Sequence, residues 1–249
     1  MFILNIMKNL FLAFALLLAG SNAFAHFLWV ETNPTGKTNK KHEVKVFFGE
    51  YTYGVTEKVG EEAFNQVKNF TLWAIAPNGE KTQLVTTAGD LFYAASFVPK
   101  TNGTYTIVVN NNAIDVIDYT KYDFGIFKTH YHCLAKVEVG GNATETAAIN
   151  PEGITIVDVS KKQALENGEV TLRILYKGTV AKEKEVDLFV KDLWSKKLKT
   201  DAEGLIKFNL PWNTKYIAEV TAKEEVPGKY NGKDYQFIWH SSTYTIILK

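Results

Sequence analysis

The sequence predicts an all-β protein, an N-terminal antiparallel β-sandwich followed by a second β-sandwich module. Three observations carry this reading. Short runs rich in Val, Ile, Thr, Tyr and Phe recur along the chain, and Asn, Gly, Pro and Asp separate them. Several runs alternate apolar and polar residues, as in HEVKVFF at 42–48, which suits a strand with one buried face. Residues 140–153, GGNATETAAINPEG, break this rhythm with small and polar residues and read as a linker. The expected division is a leader over 1–25, a sandwich over 26–140, a linker over 141–153 and a second module over 154–249.

Residues 1–25 read as a secretory signal peptide. Lys8 is the only charge near the start, LFLAFALLLA at 10–19 is a short apolar run, and Ala23-Phe24-Ala25 fits a small-x-small cleavage site. The run is too short for a membrane anchor, and no later apolar stretch reaches spanning length. The absence of a cysteine after the cut argues against lipidation. The expected destination is the periplasm or the cell surface, with no membrane span after cleavage.

The elements follow in order. Phe27–Val30 is a first strand and 42–48 a second. Glu57–Val67 is a short helix or a loop. FTLWAIA at 70–76 runs into Pro77-Asn78-Gly79, a hairpin turn, and then KTQLVT at 81–86. LFYAASFV at 91–98, the turn Thr101-Asn102-Gly103 and TYTIVVN at 104–110 lead to a long strand over about 126–139. After the linker come strands at 169–176, 185–192, 195–200, 205–210 and 214–222, and a last one ending at 243–248. Asp201-Ala202-Glu203-Gly204 is a tight turn between two of them.

Composition excludes several functions. The charges nearly cancel, with 28 Lys and Arg against 27 Asp and Glu, so nothing points to nucleic acid. Arg173 is the only arginine, which leaves bidentate phosphate or carboxylate recognition poorly supplied. Cys133 is the only cysteine, so an exported form holds no internal disulfide and relies on packing. No nucleophile elbow, Walker loop or dinucleotide-binding glycine set is present.

The five histidines carry the functional signal. Cleavage after Ala25 makes His26 the first residue of the mature chain, where the α-amine and ring Nδ1 together chelate one ion. His130 and His132 lie two apart in one strand and so share a face. The opposite set, Tyr131, Cys133, Ala135, Val137 and Val139, is apolar and is the expected core side, with Cys133 a buried structural thiol. On that reading the two histidines point away from the sandwich core. His-x-His is a common bidentate motif for borderline metals. With His26 it makes a three-imidazole set, to which His240, in FIWHSSTY, is a fourth candidate at the module interface. His42, beside Lys40, Lys41 and Glu43, reads as solvated. Glu50 is a candidate oxygen ligand. Glu50 and Glu57 in GEYTYGVTE otherwise read as an acid/base pair or as plain surface carboxylates. Tyr51, Tyr53, Trp29 and Trp239 line a groove or belong to the core.

Two resemblances follow from these residues. KLKTDAEGLIKFNLPWNTKYIAEV, with its T-D-x-x-G turn, F-x-L strand and Y-x-x-x-V strand, resembles the small transthyretin-like modules, which are usually structural. A leader cut before A-H-x-x-W, the Gly49–Gly54 loop and this second module together resemble an uncharacterised exported bacterial family. Some of its members are described as periplasmic components of nickel or cobalt uptake systems. The resemblance implies that His26 is a metal ligand, that the ion is Ni or Co, and that the receiving partner is a membrane metal transporter. Where such relatives are expected to carry histidine after the first loop glycine, this chain has Glu50. By general affinity order Cu(II) binds such a nitrogen site most tightly in vitro. The leading expectation is therefore an extracytoplasmic transition-metal-binding protein (Ni, Co or Cu) that performs no chemistry. Two other readings stay open, a metal-free adhesion or surface-structural protein and a copper histidine-brace oxidative enzyme.

Overall fold

A computed structural model describes residues 26–141, 143–191 and 194–248. The expected signal peptide, residue 142 of the expected linker and the end of the expected 185–192 strand lie outside the described residues. The described chain is all-β, and its layout is a layered sandwich.

In chain order the principal elements are β1 (Phe27–Thr32), β2 (His42–Glu50), β3 (Val55–Thr56), a short helix α1 (Glu62–Val67), β4 (Thr71–Ile75), β5 (Lys81–Gln83), β6 (Tyr93–Phe97), β7 (Gly103–Asn111) and β8 (Gly125–Val139). They continue with β9 (Ile154–Asp158), β10 (Glu169–Tyr176), β11 (Glu185–Val190), β12 (Trp194–Lys199), β13 (Leu205–Asn209), β14 (Lys215–Glu224) and β15 (Phe237–Ile247). The hairpin turns form where expected. Gly79 donates its N–H to the Ala76 carbonyl, and the Asp201 carboxylate takes the N–H groups of Glu203 and Leu205.

The central sheet runs β12-β11-β14-β15-β8-β7-β4-β5. It crosses the expected linker, because β15 of the second half lies parallel to β8 of the first, from Phe127 opposite Phe237 to Ala135 opposite Thr245. The connecting residues are themselves pinned: Thr144 and Ala147 donate N–H to the hydroxyls of Thr104 and Thr106, and Thr146 donates to the Asp158 carbonyl.

A second sheet, β1-β2-β6, covers one face of the central sheet, and a third, β9-β10-β13, covers the other. Alternation sorts β8 between them. Cys133, Ala135, Val137 and Val139 pack with Leu28, Val30, Val44 and Val46 under the second sheet. Leu134 packs with Ile154, Ile156 and Tyr244 under the third. Cys133 is fully buried and unpaired, as expected; its thiol donates to the Leu28 carbonyl. The even-numbered face of β8 is not an outer face, because β9 covers it. Lys136 therefore reaches the buried Asp158 carboxylate, which also accepts the Tyr244 hydroxyl at 2.7 Å.

Candidate metal centre at the start of the first strand

β1 is apolar from Phe27 to Val30 and buries all four side chains between the two sheets, so it holds its first residues rigidly. It pairs antiparallel with β2, Phe27 opposite Gly49, which brings Glu50 across from His26. β2 then turns back through Tyr51–Tyr53 into β3, and Glu57 follows with its N–H on the Phe48 carbonyl. Gly49 makes this return possible. Its φ is +149°, and a Cβ there would stand 2.4 Å from the Val55 carbonyl oxygen. The loop thus delivers two carboxylates, Glu50 and Glu57, to opposite edges of one imidazole.

His26 Nε2 donates to Glu57 Oε1 at 2.7 Å. His26 Nδ1 lies 3.1 Å from Glu50 Oε1. Glu50 is 6% exposed, and its Oε1 is buried without a hydrogen bond. The backbone is fixed as well: the Tyr131 hydroxyl donates to the His26 carbonyl at 2.9 Å. Phe48 packs against the ring at 5.4 Å between centroids. The imidazole remains about a third exposed and open to solvent ions.

These distances fit metal ligation. Two ligand atoms about 2.1 Å from one ion, at angles between square and tetrahedral, stand about 3.0–3.4 Å apart. Nδ1 and Glu50 Oε1 meet that spacing. Glu57 on the far nitrogen stands where a carboxylate would orient a ligating histidine and fix its tautomer. Among the described residues no group of three or more His, Cys, Asp or Glu side chains is arranged to hold a metal. A chain cut before His26 would add its α-amine as a further donor, which is not a side chain.

The other histidines lie elsewhere. Tyr131, on the odd face of β8, reaches His26, so His130 and His132, on the even face, are separated from His26 by the central sheet. The expectation that they avoid the interior fails for His132, which is 3% exposed. Its Nδ1 meets Asn110 Oδ1 and its Nε2 is buried without a partner. Burial pushes its imidazole down to about 3. The physical reason is the third sheet, which turns a mixed strand face into a second interior.

His130 stands directly opposite His240 in the β8–β15 ladder, ring centroids 5.2 Å apart. Burial first, and then the neighbouring His240, lower His130 to about 4. His240 Nε2 donates to Glu224 Oε2 at 2.8 Å, and Glu224 is ion-paired with Lys177. Burial lowers the His240 pKa, and Glu224 opposes the shift. The structure thus brings His26 and Glu50 together, pairs His130 with His240 on the opposite face, and leaves His132 bound to Asn110.

His42 is not solvated. It is 6% exposed, bonded through Nε2 to the Thr32 hydroxyl at 2.8 Å and packed on Phe97; burial is the main cause of its lowered pKa. Of the groove candidates, Trp29 and Tyr51 belong to the core with Phe27 and Ile217. Glu57 was not singled out as a partner of His26. The usable signal was the pair of glycines at 49 and 54, which folds the loop back so that its two ends meet.

A family model described as "Domain of unknown function (DUF4198)" matches residues 23–224. The chain belongs to the DUF4198 family. No curated protein matches this DUF4198 chain. Among solved structures it is similar to a mutant of Salmonella alpha-2-macroglobulin, at 10% identity and a TM-score of 0.31, covering 92% of this chain and 15% of that one. It is also similar to a DUF4785 family protein from Legionella pneumophila, at 11% identity and a TM-score of 0.32, covering 80% and 53%. A third similar structure is a 1.5-MDa bacterial ice-binding adhesin, at 14% identity and a TM-score of 0.23, covering 89% and 65%. The DUF4198 chain spans less than two thirds of each of these proteins. No helix among its described residues is long and apolar enough to cross a membrane.

Proposed function

We propose that this protein is an extracytoplasmic carrier of a divalent transition-metal ion, held by His26 as the first residue of the mature chain. One observation carries the reading. His26 Nε2 is occupied by Glu57 at 2.7 Å, while Nδ1 faces the buried, unbonded Glu50 Oε1 at 3.1 Å. The α-amine and Nδ1 of His26 would form the chelate, Glu50 would add an oxygen, and Glu57 would hold the ring. A buried carboxylate oxygen with no hydrogen bond is costly unless a cation offsets it. A two-nitrogen, one-oxygen set suits Ni(II), Co(II) and Cu(II), with Cu(II) bound most tightly in vitro. Collection of the ion and its delivery to a membrane transporter require no reaction at the site.

The test is a metal titration of the protein beginning at His26 against its Glu50→Gln variant. Glutamine keeps the size and removes the charge. The reading expects one tight Ni(II) or Cu(II) site in the parent and at least a tenfold weaker one in the variant, with both chains folded. Equal affinity in the two would remove Glu50 from the site.

A further inference from the structure

We infer that His130 and His240 form a second transition-metal site, independent of His26, which staples β8 to β15 across the seam between the two halves of the chain.

The geometry is set by the ladder. His130 and His240 are register partners on adjacent parallel strands, so their side chains leave the same face of the sheet side by side. Their ring centroids stand 5.2 Å apart, with the planes at 86°. Two imidazoles on one ion place each centroid about 3.2 Å from it, and at a tetrahedral angle the centroids are then about 5.2 Å apart.

The second observation is the state of the nitrogens. Glu224 holds His240 Nε2, which leaves Nδ1 as the donor and reproduces the carboxylate–histidine–metal arrangement. Among the described residues neither Nδ1 of His240 nor either nitrogen of His130 takes a hydrogen bond. Space is kept beside His240 Nδ1 by Gly153: a Cβ on that residue would sit 2.8 Å from the nitrogen. His240 is buried at the inner end, whereas His130 is partly exposed, so an ion enters past His130 and water completes its shell. Two neutral imidazoles and water suit Cu(II), Ni(II) or Zn(II). His132 shares the face but is turned to Asn110 and stays outside the site.

The test uses the mature chain carrying His26→Ala, which removes the first site, with Cu(II) alone as the probe. Equilibrium dialysis and the nitrogen splitting in the Cu(II) EPR spectrum are read. The expected result is one bound Cu(II) with two nitrogen ligands. His130→Gln should weaken it at least tenfold; this ring carries no protein hydrogen bond, so the chain keeps its fold, checked by its circular dichroism and Tm. Gly153→Ala, which removes no ligand, should also weaken it by filling the space at His240 Nδ1. No bound Cu(II) in the His26→Ala chain, or binding unchanged by His130→Gln, overturns the inference. Because His26 is absent throughout, neither outcome bears on the first site.

Discussion

Glu219 gives the most quantitative test of the fold's electrostatics. It sits on β14 inside the central sheet, beside Asp187 of β11 and Thr243 of β15, on the face that carries Tyr131 and Cys133. Its single hydrogen bond comes from the Ser241 hydroxyl at 2.9 Å. Burial pushes its carboxyl up from 4.5 to about 7; the Ser241 bond opposes this and Asp187 adds to it. The folded state therefore holds a proton that the unfolded chain releases near 4.5. That contribution is fully present below pH 4.5 and is lost as pH rises through about 7. At about 1.4 kcal/mol per unit, moving from pH 5 to pH 8.5 costs the native state about 2.5 kcal/mol through this group. Glu219→Gln keeps the acceptor for Ser241 and cannot ionise. Urea unfolding of both proteins at pH 5 and pH 8.5, in EDTA, isolates the effect. The stability difference between variant and parent should move by about 2.5 kcal/mol in favour of the variant between the two pH values, or about 1 M in urea midpoint for a chain of this size. A difference that does not change with pH would refute the assignment of a buried, proton-holding carboxyl.

Three further outcomes are expected. Gly49→Ala forces a left-handed φ on alanine and drives its Cβ into the Val55 carbonyl, so it should destabilise the protein by about 2–4 kcal/mol and weaken metal binding by splaying Glu50 and Glu57, as read by Tm and titration. Burial pushes the Cys133 thiol up to about 12, so a thiol reagent should leave the native protein unlabelled at pH 8 and label it once on unfolding. His132 and His130 are held down at about 3 and 4, so the unfolded chain binds protons that the native one refuses; the contribution of these two groups should be full above pH 6.5 and be lost as pH drops towards 4, seen as a declining urea midpoint in the Glu219→Gln protein, where the opposing carboxyl is absent.

The strands were legible because alternation and turn residues are local signals. The odd face of β8 was read correctly from its own five apolar residues. The even face was not, because His130, His132, Lys136 and Glu138 look like a solvated set. All but the half-buried His130 are covered, and partners such as Asp158 and Asn110 satisfy some of their polar atoms. That cover comes from residues well apart in the chain, and no local pattern announces it. The same cause hid His42, whose partner Thr32 lies in another strand. At the candidate site His26 and Glu50 could be named from sequence, but their meeting depends on the pairing of Phe27 with Gly49, a register set by the whole second sheet. Separation of His26 from His130 and His132 follows from strand parity about Tyr131, which becomes readable only once Tyr131 is seen to contact His26.

The most direct test of the account compares the protein beginning at His26 with the same protein carrying one extra residue before it. Both are titrated with Cu(II), Ni(II), Co(II) and Zn(II) for affinity and stoichiometry. The account predicts a tight site in the first that is weakened at least a hundredfold in the second, where the α-amine has become an amide and the chelate ring is lost, while the His130–His240 site persists in both. Equal affinity at every site in the two proteins would contradict it.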